Sequence, residues 1–112
     1  MHLSTQATEQ LFLIKVEEER IDAAAALAFK EAVRRLAPHA GPVILLDLSG
    51  VTFIDSSGLG ALVGLLKALA PAQELRLAGT QAPVQKVLEL TRMDQVFVLY
   101  HDPAEALEKA GA

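Results

Sequence analysis

The stretch with the most chemistry in it is Asp47-Leu48-Ser49-Gly50-Val51-Thr52-Phe53-Ile54-Asp55-Ser56-Ser57-Gly58-Leu59-Gly60. It joins a nearly all-apolar run, Val43 to Leu48, to a helix expected from about Ser57 to Ala70, closed by Pro71. One carboxylate and two hydroxyls, those of Asp55, Ser56 and Ser57, therefore cluster where a helix begins. A serine at the cap accepts a hydrogen bond from a first-turn N–H. The free N–H groups and the positive dipole end of the helix also favour an anion. The chemistry that fits is phosphorylation of an exposed serine, because the helix it heads tolerates the product. A phosphate adds about −1.5 to −2 charges, a large local change for a chain of formal net charge −4. Where such a helix end lies in a binding surface, the phosphate has to be desolvated beside Asp55. A penalty of roughly 3–4 kcal/mol weakens a complex a few hundred- to a thousandfold.

Other chemistries find little support. The chain has no cysteine, which removes disulfides, thiolate nucleophiles and cysteine metal sites. His2, His39 and His101 are scattered and none has a ligand at metal spacing, so no metal and no cofactor are expected. No Ser-His-Asp set can be assembled locally, and Gly58-Leu59-Gly60 lacks the further glycine of a dinucleotide turn. No Lys-Ser/Thr pair follows a glycine loop, so a nucleotide-hydrolysing enzyme is disfavoured. Lys67, Lys86 and Arg92 read as solvated charges. Asp47, in an apolar strand, is expected to bond a nearby backbone N–H. Asp22 has a plain reading as a helix cap, and Asp55 as a loop group that complements the helix dipole.

The elements that must position this segment alternate along the chain. Leu11 to Val16 is a short apolar run of strand type. Asp22 can cap a helix from Ala23 to Leu36, with Ala25, Phe29, Ala32, Val33 and Leu36 at helical spacing, stopped by Pro38 and Gly41. Val43 to Leu48 suits a strand buried on both faces. Leu75 to Ala78 alternates as a strand. Pro83 suits a first helical position, and Val84, Val87, Leu88 and Thr91 form one stripe. Val96 to Tyr100 reads as a β-branched and aromatic strand. Asp102-Pro103-Ala104-Glu105 resembles a capping box with aspartate as the cap, opening a last helix to Lys109. An extra edge strand is expected near Leu3. The order predicts one α/β domain over residues 1–112, with a mostly parallel or mixed sheet of four to five strands and about four helices.

The helix after the serines is unusual. Gly58, Gly60 and Gly64 stand in its first turns, each costing about 0.8–1 kcal/mol relative to alanine. Leu59, Leu62, Val63, Leu66 and Leu69 follow helical spacing and can face the sheet. The glycines fit either tight packing on the sheet or a partner docked flat against the helix start.

Composition bounds the remainder. With 112 residues, 52% of them apolar, 21% charged and 4% aromatic, the chain is globular in balance and long enough for one core. Ten basic residues against fourteen acidic, with no basic run, give no nucleic-acid footprint. No basic N-terminal segment precedes an apolar core, and the longest strongly apolar stretch, Leu59 to Leu66, is too short for a bilayer. A cytoplasmic protein without membrane insertion is the expectation.

Residues 47 to 62, Asp-Leu-Ser-Gly-Val-Thr-Phe-Ile-Asp-Ser-Ser-Gly-Leu-Gly-Ala-Leu, closely resemble the signature of STAS domains, and more narrowly that of bacterial anti-sigma factor antagonists. Arg20-Ile21-Asp22 stands where that family usually has Glu-Leu-Asp, Gly79-Thr80 and Val84 to Leu90 resemble its strand exit and third helix, and Met93 to Val98 resembles the approach to its last strand. The resemblance implies a binding module with no catalytic activity. Its partner would be an anti-sigma factor that is also a serine kinase, and that kinase would phosphorylate the serine after the aspartate, here Ser56. Unphosphorylated antagonist holds the anti-sigma factor; phosphorylated antagonist releases it; a metal-dependent (PP2C-type) phosphatase resets the switch. Spacing alone does not separate Ser56 from Ser57 as the acceptor. The resemblance implies a partner-binding set of Asp22, Asp55, Ser56, Ser57, Gly58, Leu59, Gly60 and Leu62. The chain departs from the family in having Glu19-Arg20 ahead of Ile21-Asp22 and four alanines, Ala23 to Ala26, where polar residues are usual. STAS domains also serve as subunits of lipid ABC transporters and of sensory (stressosome-like) complexes. Transporter-associated members commonly carry Asp-Thr-Ala-Gly where this chain has Asp-Ser-Ser-Gly.

Overall fold

The computed structural model describes residues 1–110. Seven strands and four helices follow in the order β1 (Leu3–Ala7), β2 (Phe12–Val16), β3 (Arg20–Ile21), α1 (Ala26–Leu36), β4 (Val43–Asp47), β5 (Phe53–Ile54), α2 (Ser56–Leu69), β6 (Glu74–Ala78), α3 (Ala82–Leu90), β7 (Leu99–Tyr100) and α4 (Pro103–Ala110). Five strands form one mixed sheet in the order β1-β2-β4-β6-β7, while β3 and β5 pair separately. Strands β2, β4, β6 and β7 run parallel, and β1 joins β2 antiparallel, with Leu3 opposite Val16. The α/β class, the strand number, the edge strand and the four helices are those expected from the sequence.

The central strand explains the layering. Alternate side chains of a strand point to opposite faces, so Ile44 and Leu46 enter the main core while Leu45 enters a smaller one. The main core takes Phe29 and Val33 of α1, Leu62 and Leu65 of α2, and Val84 and Leu88 of α3. These three helices therefore share one face. On the other face Ala106 of α4 packs on Leu45 and Ala78. A strand covered on both faces has no polar side to present, hence its apolar run. Its one carboxylate, Asp47, is buried, and its Oδ1 accepts the Ser49 N–H at 3.0 Å, as anticipated.

Several boundaries differ from the expectation. The first helix begins regularly only at Ala26; residues 22–25 form a turn in which Asp22 accepts the Ala25 N–H with both its carbonyl and its side chain. Asp22 thus braces the turn leading into α1 and is not the cap residue of the helix. Pro83 is the second residue of α3, after Gln81 and Ala82. The strand expected over Val96 to Tyr100 shrinks to Leu99–Tyr100, because Met93–Gln95 form a 3-10 turn and Arg92 is left-handed at φ 60°. Asp102 caps α4, accepting the Glu105 N–H at 2.8 Å. Glu105 pairs with Lys109 in place of closing the box. Among the described residues, no helix is long and apolar enough to cross a membrane.

Candidate functional site

The serine pair is positioned by a feature too short to be read from sequence. Beyond the ends of β2 and β4, Arg20 and Ile21 pair in parallel with Phe53 and Ile54. Ile21 and Ile54 are 0% and 5% exposed. By alternation, Arg20 with Asp22, and Phe53 with Asp55, lie on the outward side. The pairing is tied at its start by the Thr52 and Phe53 N–H groups, which both donate to the Glu19 carbonyl.

From this small ribbon the chain turns into α2, and the cap is Asp55, not a serine. Asp55 is extended (φ −109°, ψ −173°) and its Oδ1 accepts the Gly58 N–H at 2.9 Å. Its Oδ2 accepts the Ala23 N–H at 3.0 Å. One carboxylate therefore holds the start of α2 and the turn before α1 side by side. Aspartate suits this place because it satisfies an orphan first-turn donor and complements the helix dipole. Ser56 becomes the first residue of α2 and Ser57 the second, and both are exposed. Their hydroxyls have no capping duty and are free for chemistry.

The predicted set is brought together only in part. Asp22, Asp55, Ser56 and Ser57 converge at the paired starts of α1 and α2, with Leu59 half-buried and Gly60 exposed one turn on. Leu62 does not belong to this surface. It is 0% exposed within the core, so no partner reaches it while the domain is folded. The backbone of Gly58 is also buried, and a methyl group there would overlap the Ile21 carbonyl oxygen. The helix face toward the sheet is made by Ala61, Leu62, Leu65 and Leu69; Leu59, Val63 and Leu66 pack at its margins.

Two neighbours escaped the sequence reading. The Arg20 guanidinium lies 4.0 Å from the centre of the Phe53 ring, and its Nε donates to Asp22 Oδ2 at 3.1 Å. Leu27, in the first turn of α1, is 68% exposed. The alternation of Arg20/Asp22 against Ile21, and of Phe53/Asp55 against Ile54, is the signal that could have revealed the first. The Arg20 hydrogen bond holds the Asp22 carboxyl below the ordinary carboxylate range; the Ala25 and Ala24 N–H groups act in the same direction, and partial burial opposes them.

A hollow of about 290 Å³, lined by Thr80, Gln85, Leu99, Tyr100 and His101, includes none of the site residues. The parallel strands β2-β4-β6-β7 advance in one direction, so the site does not sit at a reversal of strand order, where such sheets form ligand crevices. An exposed hydroxyl at a helix start is accessible to another protein.

The sequence pattern that defines the STAS domain matches residues 2–106. The chain belongs to the STAS domain family. Over 77 residues it is 36% identical to the anti-sigma-B factor antagonist of Listeria monocytogenes, covering 68% of each protein. The anti-sigma-factor antagonist (STAS) domain protein of Planctomyces limnophilus has the same fold, with a TM-score of 0.87 at 23% identity and 98% of each chain covered. The Bacillus cell fate determinant SpoIIAA, in its phosphorylated form, shares the fold at a TM-score of 0.69 and 19% identity, over 96% of this chain and 98% of that one.

Proposed function

We propose that this STAS domain is an anti-sigma factor antagonist that binds a kinase-type anti-sigma factor and is released when that kinase phosphorylates Ser56. The observation that carries the reading is the placement of Ser56. It is exposed at the first position of α2, freed from capping by Asp55, on a surface shared with the turn before α1. The likeness to the Listeria antagonist supports the role. SpoIIAA, of the same fold, is a protein with a phosphorylated form.

The physics of the switch follows from the surroundings. Phosphorylation replaces a small neutral hydroxyl by a group of about −1.5 to −2 charges. Asp55 and Asp22 already place two carboxylates beside it. The helix start itself accommodates the dianion, so the fold survives. A docked partner is a different matter, since it must strip water from the phosphate and Asp55 together, beside an Asp22 already paired with Arg20. The partner surface under this reading comprises Asp22, Asp55, Ser56, Ser57, Leu59 and Gly60. The module works in the cytoplasm, without a catalytic step of its own, and a PP2C-type phosphatase returns it to the binding state.

The test is site mapping after incubation of the purified chain with the kinase-type anti-sigma factor and ATP. One phosphate on Ser56, lost in Ser56→Ala and kept in Ser57→Ala, supports the reading. A phosphate on Ser57 moves the acceptor by one residue. No incorporation by any such kinase of the source organism overturns the proposal.

A further inference from the structure

Helix α2 contains three glycines, and the fold demands one of them. Gly58 lies against the Ile21 carbonyl, where no side chain fits. Gly64 lies under the flexible end of Lys30 of α1, whose Nζ and Cε would stand 2.8 and 3.2 Å from an added Cβ and can move aside. Gly60 is different. A Cβ there would meet nothing within 4 Å, and its φ is not positive. It sits inside a helix, where alanine is intrinsically favoured over glycine. Nothing in the folding of this chain calls for a missing side chain at that position.

The surroundings suggest what does. Gly60 is four residues after Ser56, so both lie on one strip of the helix surface. Lys30 crosses Gly64, so Leu27, one turn nearer the start of α1, lies on the Gly60 side of that helix pair. Leu27 is 68% exposed although the buried side chains of its helix are Phe29 and Val33. Ala23 and Ala24 just ahead are exposed too, and Asp55 ties that turn to the head of α2. Exposed apolar side chains thus stand in the turn before α1 and at its start, beside the head of α2.

We propose that Gly60 is a specificity position of the docking surface, over which an apolar side chain of the anti-sigma factor seats against Leu27. The inference rests on the antagonist reading and adds the place and chemistry of one contact. A contact of this kind needs close approach to the helix backbone, which any side chain at position 60 obstructs.

The experiment uses the full chain and the purified anti-sigma kinase that phosphorylates it, reading KM and kcat for phosphorylation together with melting temperature. Gly60→Ala is expected to raise the melting temperature, by about 4 °C, while raising KM. Gly60→Leu is expected to raise KM at least tenfold with kcat little changed, and Leu27→Ser to raise it as well. Ala68→Leu, at an exposed position two turns further along α2, is expected to leave KM unchanged. Wild-type KM in a folded Gly60→Leu variant, with the wild-type chain phosphorylated normally, overturns this inference and spares the antagonist reading. A wild-type chain that no anti-sigma kinase of its organism phosphorylates removes both.

Discussion

At the scale of residues, Asp55 has two structural bonds before any functional role is considered. Its oxygens accept one N–H from each of two helix starts, Gly58 at 2.9 Å and Ala23 at 3.0 Å. Asp55→Ala removes both and is expected to cost about 1–2 kcal/mol, measured by urea unfolding; a loss below a few tenths would show that the cap does not hold the site. Gly58→Ala is expected to be worse than an ordinary helix substitution, of the order of 1–3 kcal/mol destabilising, since the obstructing atom is the backbone oxygen of Ile21. A stability gain in that variant would mean the two elements separate readily. The depressed Asp22 carboxyl gives a pH dependence. Its folded pKa lies below its unfolded value, so its stabilising effect is complete above the unfolded pKa and fades as pH falls through the folded one. In Arg20→Ala the Asp22 titration, followed by NMR, should move up toward the usual carboxylate range. The Asp-Ser-Ser-Gly run was legible as the start of a helix, but the identity of the cap was not. Aspartate and serine are both good caps, and only the backbone path decides which stands one residue before the first turn.

At the scale of elements, legibility tracks length. The first three helices showed in their 3.6-residue periodicity, and β4 in its apolar run, because each repeats its signal several times. The β3–β5 ribbon offers two residues per strand and repeats nothing. It nevertheless sets where Asp22 and Asp55 meet. The expected last strand failed for a related reason. Val96, Phe97 and Val98 have strand-like side chains, but the preceding 3-10 turn takes them out of register, leaving Val96 and Val98 half-exposed and Phe97 buried. Arg92 makes that turn with a left-handed backbone, which costs an L-residue roughly 1 kcal/mol. Arg92→Gly is accordingly expected to be neutral to stabilising, by up to about 1 kcal/mol, in thermal unfolding; clear destabilisation would mean that the arginine side chain has a role that outweighs its backbone strain. Leu62 marks the limit of motif-based assignment. It lies within the signature, yet the geometry of α2 turns it to the core.

At the scale of the whole molecule, a one-directional run of parallel strands places α1, α2 and α3 on one face and brings the starts of α1 and α2 to the same end of the sheet. The consequence is a surface that joins two carboxylates, Asp22 and Asp55, to the exposed hydroxyls of Ser56 and Ser57, on a chain that already carries a formal charge of −4. The class of fold was legible from the alternation of elements, while the strand order was not, since it depends on which strands pair across the sheet. The central claim is that one phosphate on Ser56 separates two proteins without unfolding either. Its direct measurement is a calorimetric titration of the anti-sigma factor with the unphosphorylated chain and with the chain stoichiometrically phosphorylated on Ser56. Affinity is expected to fall a few hundred- to a thousandfold, with the melting temperature of the chain little altered. Equal affinity of the two forms would contradict the account.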